Sequence, residues 1–262
     1  MVHSKSECLV IAVVFTIALV LNLLLMGCAI PTEDRSVQAP ILEHSVPVKI
    51  ALFQDKSGST GWTRTPQLTD STLKIILDLV KERSGELAFG LLRDRSNKGL
   101  VRLRIDGRPA QPAKPTKTRR VYQDARAMGQ YRKEEAEYDA ALATWQADTD
   151  RRVAAFTSDL RPLLDQPSDS RCTSIWEAVA RGDLYLSEDD ASWPTKPAKW
   201  AIYVTDGIHN CGPGQTASLK SGAGLIVING EAQTGSLGPL QPKVFESIES
   251  AFRYLQATEG GK

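Results

Sequence analysis

The chain of 262 residues is 42% hydrophobic and 24% charged, with 14 Pro and 19 Gly, a balance that excludes a disordered chain, a collagen-like repeat and a multi-pass membrane protein. Its 32 Lys and Arg against 31 Asp and Glu leave a net charge of +1, so no global charge argument points to nucleic acid. The length accommodates one domain with an insertion or two small domains, either of which buries a core without needing disulfides.

Leu9 to Met26 is an uncharged apolar run broken only by Thr16 and Asn22, after a short head that contains Lys5. It reads as a membrane-directed segment. The run closes on Leu25-Met26-Gly27-Cys28, which resembles the lipobox of bacterial lipoproteins, with Cys28 as the acylated residue. An uncleaved anchor helix is the alternative, because the run is long enough to span a bilayer. Both place the remainder outside the cytoplasm, in the periplasm or at the cell surface. Residues 28–47, with Pro31, Pro40 and Pro47, read as a tether ahead of a domain at 48–258. Cys172 and Cys211 are then an even pair in a compartment that permits disulfides.

Val48 to Phe53 suits a buried strand, followed at once by the polar cluster Asp55-Lys56-Ser57-Gly58-Ser59. A helix of about 15 residues is expected from Asp70, with Leu73, Ile76, Leu77 and Val80 on one face. Leu87 to Leu92 is a second strand, and Val101-Arg102-Leu103-Arg104-Ile105 alternates as a half-exposed strand does. The turn at Asn97-Lys98-Gly99 makes these two a hairpin.

The Pro-rich stretch 109–118 introduces a segment at 119–164 whose Val121, Ala125, Met128, Tyr131, Tyr138, Leu142, Trp145, Phe156, Leu160 and Leu163 recur at helical spacing. The expectation is a helical insertion outside the sheet, one long helix or a helical hairpin, with the hairpin favoured because one helix of that length would exceed the width of the domain. Thr173 to Val179 opens a short helix that is expected to stop at Gly182. Trp200 to Thr205 and Gly224 to Gly230 are further strands. A last helix places Val244, Phe245, Ile248, Ala251, Phe252 and Leu255 on one face, with no sixth strand expected after Ile228. Strands alternating with helices define an α/β class, with a doubly wound and mostly parallel sheet, one antiparallel edge strand and a long helical insertion.

Three polar clusters fall where such a sheet brings its loops together: Asp55, Ser57 and Ser59 after the first strand, Thr173 at a helix start, and Asp206 after a central strand. Two carboxylates with three hydroxyls make a hard oxygen site of the kind that takes Mg²⁺ or Mn²⁺. The pattern Asp55-x-Ser57-x-Ser59, the Thr173-x-Ile-x-x-Ala element and Val-Thr-Asp206-Gly resemble the von Willebrand factor type A domain. The resemblance extends from Val48 to Leu255 and implies a metal-ion-dependent adhesion site. Asp55, Ser57 and Ser59 would hold the ion, Thr173 would bind it directly or through water, and Asp206 would complete the shell. The implied role is recognition of an acidic group on a protein partner, without catalysis. If both loops flank one metal, Cys172 and Cys211 are neighbours and form a disulfide.

Two other classes compete. A Ser57, His209 and Asp206 hydrolase lacks the strained nucleophile elbow, and a phosphotransferase built on Asp55 lacks its second acid at Ser57. A structural envelope lipoprotein would use the stretch from Arg93 to Arg120, where ten basic residues face two acids, to bind anionic lipid or polysaccharide. The alternative account of that stretch is an edge strand guarded by Arg.

Overall fold

The computed structural model describes residues 46–260 apart from 62, 97, 117–120, 213–215 and 230–232. The apolar run at 9–26, Cys28 and nearly all of the tether lie outside the described residues. Among the described residues no helix is long and apolar enough to cross a membrane.

The first strand, β1 (Val48–Asp55), is buried at every position. A strand covered on both faces has to be apolar on both, which is why its pattern is a continuous run rather than an alternation. Helix α1 (Asp70–Arg83) starts at a capping box in which Thr69 and Thr72 bond each other's backbone, and it ends with Lys81 and Arg83 in its last turn. Strand β2 (Gly85–Leu92) pairs parallel with β1, and β3 (Val101–Ile105) pairs antiparallel with β2. Helix α2 (Val121–Leu164) and helix α3 (Ile175–Leu186) precede β4 (Ala198–Val204), which lies parallel on the other side of β1. The chain then adds β5 (Gly224–Ile228), β6 (Lys243–Phe245) and helix α4 (Ile248–Gly260).

The result is a six-stranded sheet in the order β3-β2-β1-β4-β5-β6, parallel except for β3 at its edge. The expected α/β class with one antiparallel edge strand is the observed one. One face carries Val48, Ile50 and Leu52 against α1 and α4, and the other carries Ala51 and Phe53 against α3. Because winding proceeds in opposite directions from β1, the carboxyl ends of β1 and β4 flank the switch point of the sheet, where loops are free to gather side chains.

Four expectations need correction. Within the segment at 119–164, Val121–Leu164 is a single helix of 44 residues, the long helix rather than the favoured hairpin, which at 1.5 Å per residue runs about 66 Å. It is also not wholly outside the main core: Phe156 and Leu160 are buried, and Trp145, Val153, Leu163 and Leu164 pack against the β1, α1 and α4 cluster. Its first half has no buried residue among those described. Helix α3 continues through Gly182 to Leu186, because the missing side chain at Gly182 is what lets the helix approach the rings of Phe53 and Tyr203, which a Cβ would meet at 3.0 Å. Finally, a sixth strand exists. Val244 and Phe245 belong to β6, paired with Val227 and Ile228, and the last helix begins only at Ile248.

Candidate metal centre

Asp55 is the last residue of β1 and is 0% exposed. Its Oδ1 accepts the amide of Ser57 at 2.7 Å and its Oδ2 accepts the hydroxyl of Thr205 at 2.6 Å. Burial pushes its carboxyl up to about 6, with the charge of Asp206 adding to the rise and the hydrogen bonds from Thr205 and Ser57 opposing it. Each carboxylate oxygen has a second lone pair, so these bonds orient the group without exhausting it.

The backbone beyond Asp55 turns through a short 3-10 segment, Gly58–Gly61. There the Ser57 and Ser59 hydroxyls lie 2.9 Å apart. Thr63 ties this loop to the next: its hydroxyl bonds the Ser59 carbonyl at 3.1 Å and Asp206 Oδ2 at 3.5 Å. Asp206 follows β4, and its Oδ1 takes the Ile208 amide at 2.9 Å. Gly207 adopts φ 76°, and a Cβ there would meet the Thr234 carbonyl at 2.9 Å, so the turn that carries Asp206 requires glycine.

Thr173 comes in from the segment before α3. Its amide donates to Asn210 Oδ1 at 2.6 Å, and its carbonyl accepts the Asn210 amide at 3.3 Å. The disulfide between Cys172 and Cys211, with Cα atoms 5.1 Å apart, seals the same junction. The expected bridge is therefore present. Thr173 itself is 0% exposed, and its Oγ1 has no hydrogen-bond partner among the described residues. A buried hydroxyl without a partner costs about 1–3 kcal/mol, so the atom suits a ligand supplied from outside the chain.

The sheet thus brings Asp55, Ser57, Ser59 and Asp206 into one bonded cluster, and the disulfide and Asn210 hold Thr173 to the Asp206 loop. Among the described residues no three His, Cys, Asp or Glu side chains group together, so the donors here are hydroxyls and two carboxylates. That set fits Mg²⁺ or Mn²⁺, and it lacks the thiolates and imidazoles that favour zinc. Thr205, Thr63 and Asn210 were not singled out from the sequence. The adjacency of Thr205 to Asp206 is the hint the sequence offers, since the bonds from Thr205 to Asp55, Thr63 to Asp206 and Thr173 to Asn210 span distant parts of the chain.

His209 accepts the Ile175 amide at Nδ1, 3.2 Å away, while its Nε2 is buried with no partner among the described residues, and Asp206 is held by Ile208 and Thr63, so Nδ1 does not receive Asp206 as it would in a Ser57, His209 and Asp206 relay. Arg102 is bidentate on Glu188, Arg104 meets Glu86 and Asp106, and Arg93 meets Asp169. Much of the positive charge between Arg93 and Arg104 is thereby matched on the protein itself.

No family model matches the chain, and no curated protein matches it. Among solved structures, the pilus adhesin SpaC from Lactobacillus rhamnosus GG in its open conformation is 13% identical with a TM-score of 0.38, over 84% of this chain and 30% of that one. Proximal thread matrix protein 1 from the mussel byssus is 15% identical with a TM-score of 0.34, over 82% of this chain and 48% of that one. The chain thus spans less than half the length of either.

Proposed function

We propose that this protein is a von Willebrand factor type A-like domain that binds Mg²⁺ or Mn²⁺ through Asp55, Ser57, Ser59, Thr173 and Asp206, and through the ion an acidic group of a protein partner. The observation that carries the reading is Thr173 Oγ1, a buried hydroxyl with no partner among the described residues, on a segment tied to the Asp206 loop through Asn210 and the disulfide and to the Ser57 loop through Ser170. Five side-chain oxygens would leave one of the roughly six positions around Mg²⁺ for an oxygen from outside the chain, and a carboxylate is a hard ligand that suits it, which is the chemistry of adhesion rather than turnover. When bound, the ion supplies a positive centre; the chain's own residues orient it, with Thr205 and the Ser57 amide fixing the Asp55 carboxylate.

The Cys172–Cys211 disulfide supports an extracytoplasmic setting. The apolar run at 9–26 ending in Gly27-Cys28 supports a membrane tether there, by lipid or by helix.

Calorimetric titration with Mg²⁺ and Mn²⁺ tests the site. Wild type is expected to bind. Asp55→Ala should lose affinity sharply while keeping its fold, and Ser57→Ala should lose less because water replaces a neutral ligand. A pull-down from envelope extract with Mg²⁺, against the same with chelator, tests the partner; recovery independent of Mg²⁺ would defeat the ion-mediated reading.

A further inference from the structure

Lys56 stands between Asp55 and Ser57 in the loop just described, yet it points away from the oxygen cluster. Its Nζ donates to the carbonyl of Leu164, the last residue of α2, at 2.7 Å, and the residue is only 7% exposed. A helix leaves its last carbonyls without partners inside the helix and carries partial negative charge there, so a buried ammonium is a strong plug for that end. The backbone is engaged as well. The Lys56 carbonyl accepts the Ser170 amide at 3.2 Å, the Gly58 amide donates to the Ser170 carbonyl at 3.0 Å, and Ser57 and Ser170 form a parallel bridge.

Ser170 in turn donates its hydroxyl to the Cys172 carbonyl at 2.9 Å, one residue before Thr173. The segment 165–174 thus leaves the end of α2, zips onto the Ser57 loop and delivers Thr173 to the site. Arg93 pins it from the other side through Gln166 and Asp169, each at 2.7 Å. The Ser57 loop and the segment that carries Thr173 both hang from the carboxyl end of α2, and Lys56 joins the Ser57 loop to the last carbonyl of that helix.

We infer that Lys56 is a positioning residue that locks the metal loop to the carboxyl end of α2, so that ion occupancy and the order of that helix end are coupled. This rests on the metal-binding reading above. Coupling of this kind is reciprocal: an ion that favours the assembled loop favours the docked helix end, and a docked helix end raises ion affinity by the same factor.

The test is calorimetry with Mg²⁺ on wild type, Lys56→Met and Lys56→Arg, together with hydrogen exchange of the Leu163, Leu164, Asp165 and Gln166 amides with and without Mg²⁺. Lys56→Met keeps the length and apolar stem but loses the donor, and should bind Mg²⁺ about tenfold more weakly. Lys56→Arg restores a cationic donor and should recover most of that loss. In wild type, Mg²⁺ should slow exchange at the four amides, and in Lys56→Met it should not. Equal Mg²⁺ affinity in wild type and Lys56→Met overturns the coupling and leaves the metal site standing. Absence of Mg²⁺ binding in wild type overturns the metal reading and the coupling with it. If Lys56→Met does not fold, the wild-type exchange decides, and unchanged rates on adding Mg²⁺ overturn the coupling.

Discussion

Thr205 donates its hydroxyl to Asp55 Oδ2 at 2.6 Å, which joins the carboxyl ends of β1 and β4 by a bond between a central acid and a residue 150 positions away. It opposes the burial that pushes the acid up to about 6. Thr205→Val removes a bond that favours the charged form, so the pH midpoint for Mg²⁺ binding should move upward, as titrations at several pH values would show.

The raised carboxyl of Asp55 also sets a sign for stability. Between pH 3.8 and about 6 the folded protein retains a proton that the unfolded chain has released. Its contribution is therefore full below about pH 4 and is lost as pH rises through 6, to the extent of about 3 kcal/mol. Urea unfolding without metal should show this loss between pH 4 and 7, and Asp55→Asn should flatten it. Mg²⁺ affinity should fall as pH drops below 6, since the ion competes with the proton.

Thr173→Val should separate stability from binding. It removes a buried hydroxyl that has no partner among the described residues, so the metal-free protein should gain about 1 kcal/mol, while Mg²⁺ affinity falls. Thermal melts paired with calorimetry check both; a variant that loses stability and binds Mg²⁺ as wild type does would remove Thr173 from the ligand set.

The Cys172–Cys211 bridge closes a loop of 39 residues, for which chain entropy gives about 4 kcal/mol. Cys172→Ser with Cys211→Ser should lower stability by that order in chemical denaturation. Mg²⁺ affinity should fall too, because only hydrogen bonds, Thr173 with Asn210 and Ile175 with His209, would then hold the two loops together.

Along α2 the two halves should respond differently. Leu160→Ala opens a cavity in the main core and should cost 2–5 kcal/mol, whereas Tyr131→Ala, on the exposed half, should stay within about 0.5 kcal/mol. Equal losses at both positions in urea unfolding would mean that the whole helix is core.

The strand and helix sequence of the sheet was legible from Val48 to Leu255 because burial on both faces writes apolar runs, and amphipathic helices write a 3.6-residue period. The position of Asp55, Ser57, Ser59 and Asp206 beyond the ends of β1 and β4 was legible because loops after strands concentrate polar residues at a switch point, and that of Thr173 because it stands just ahead of a helix. β6 was not: its three residues are too short to show a period, and Val244 and Phe245 merge with the helical pattern that follows.

By itself the sequence determined the α/β class, a mostly parallel sheet with one antiparallel edge strand, and which side chains stand at its carboxyl ends, since these follow from local patterns of polarity. Tertiary structure alone decided that α2 is one helix with its second half in the core, that Thr205 holds Asp55, and that Lys56 closes the end of α2. A periodic stripe records that a face is buried and not what covers it, and a hydrogen bond across 108 residues, such as Lys56 to Leu164, leaves no trace in local spacing.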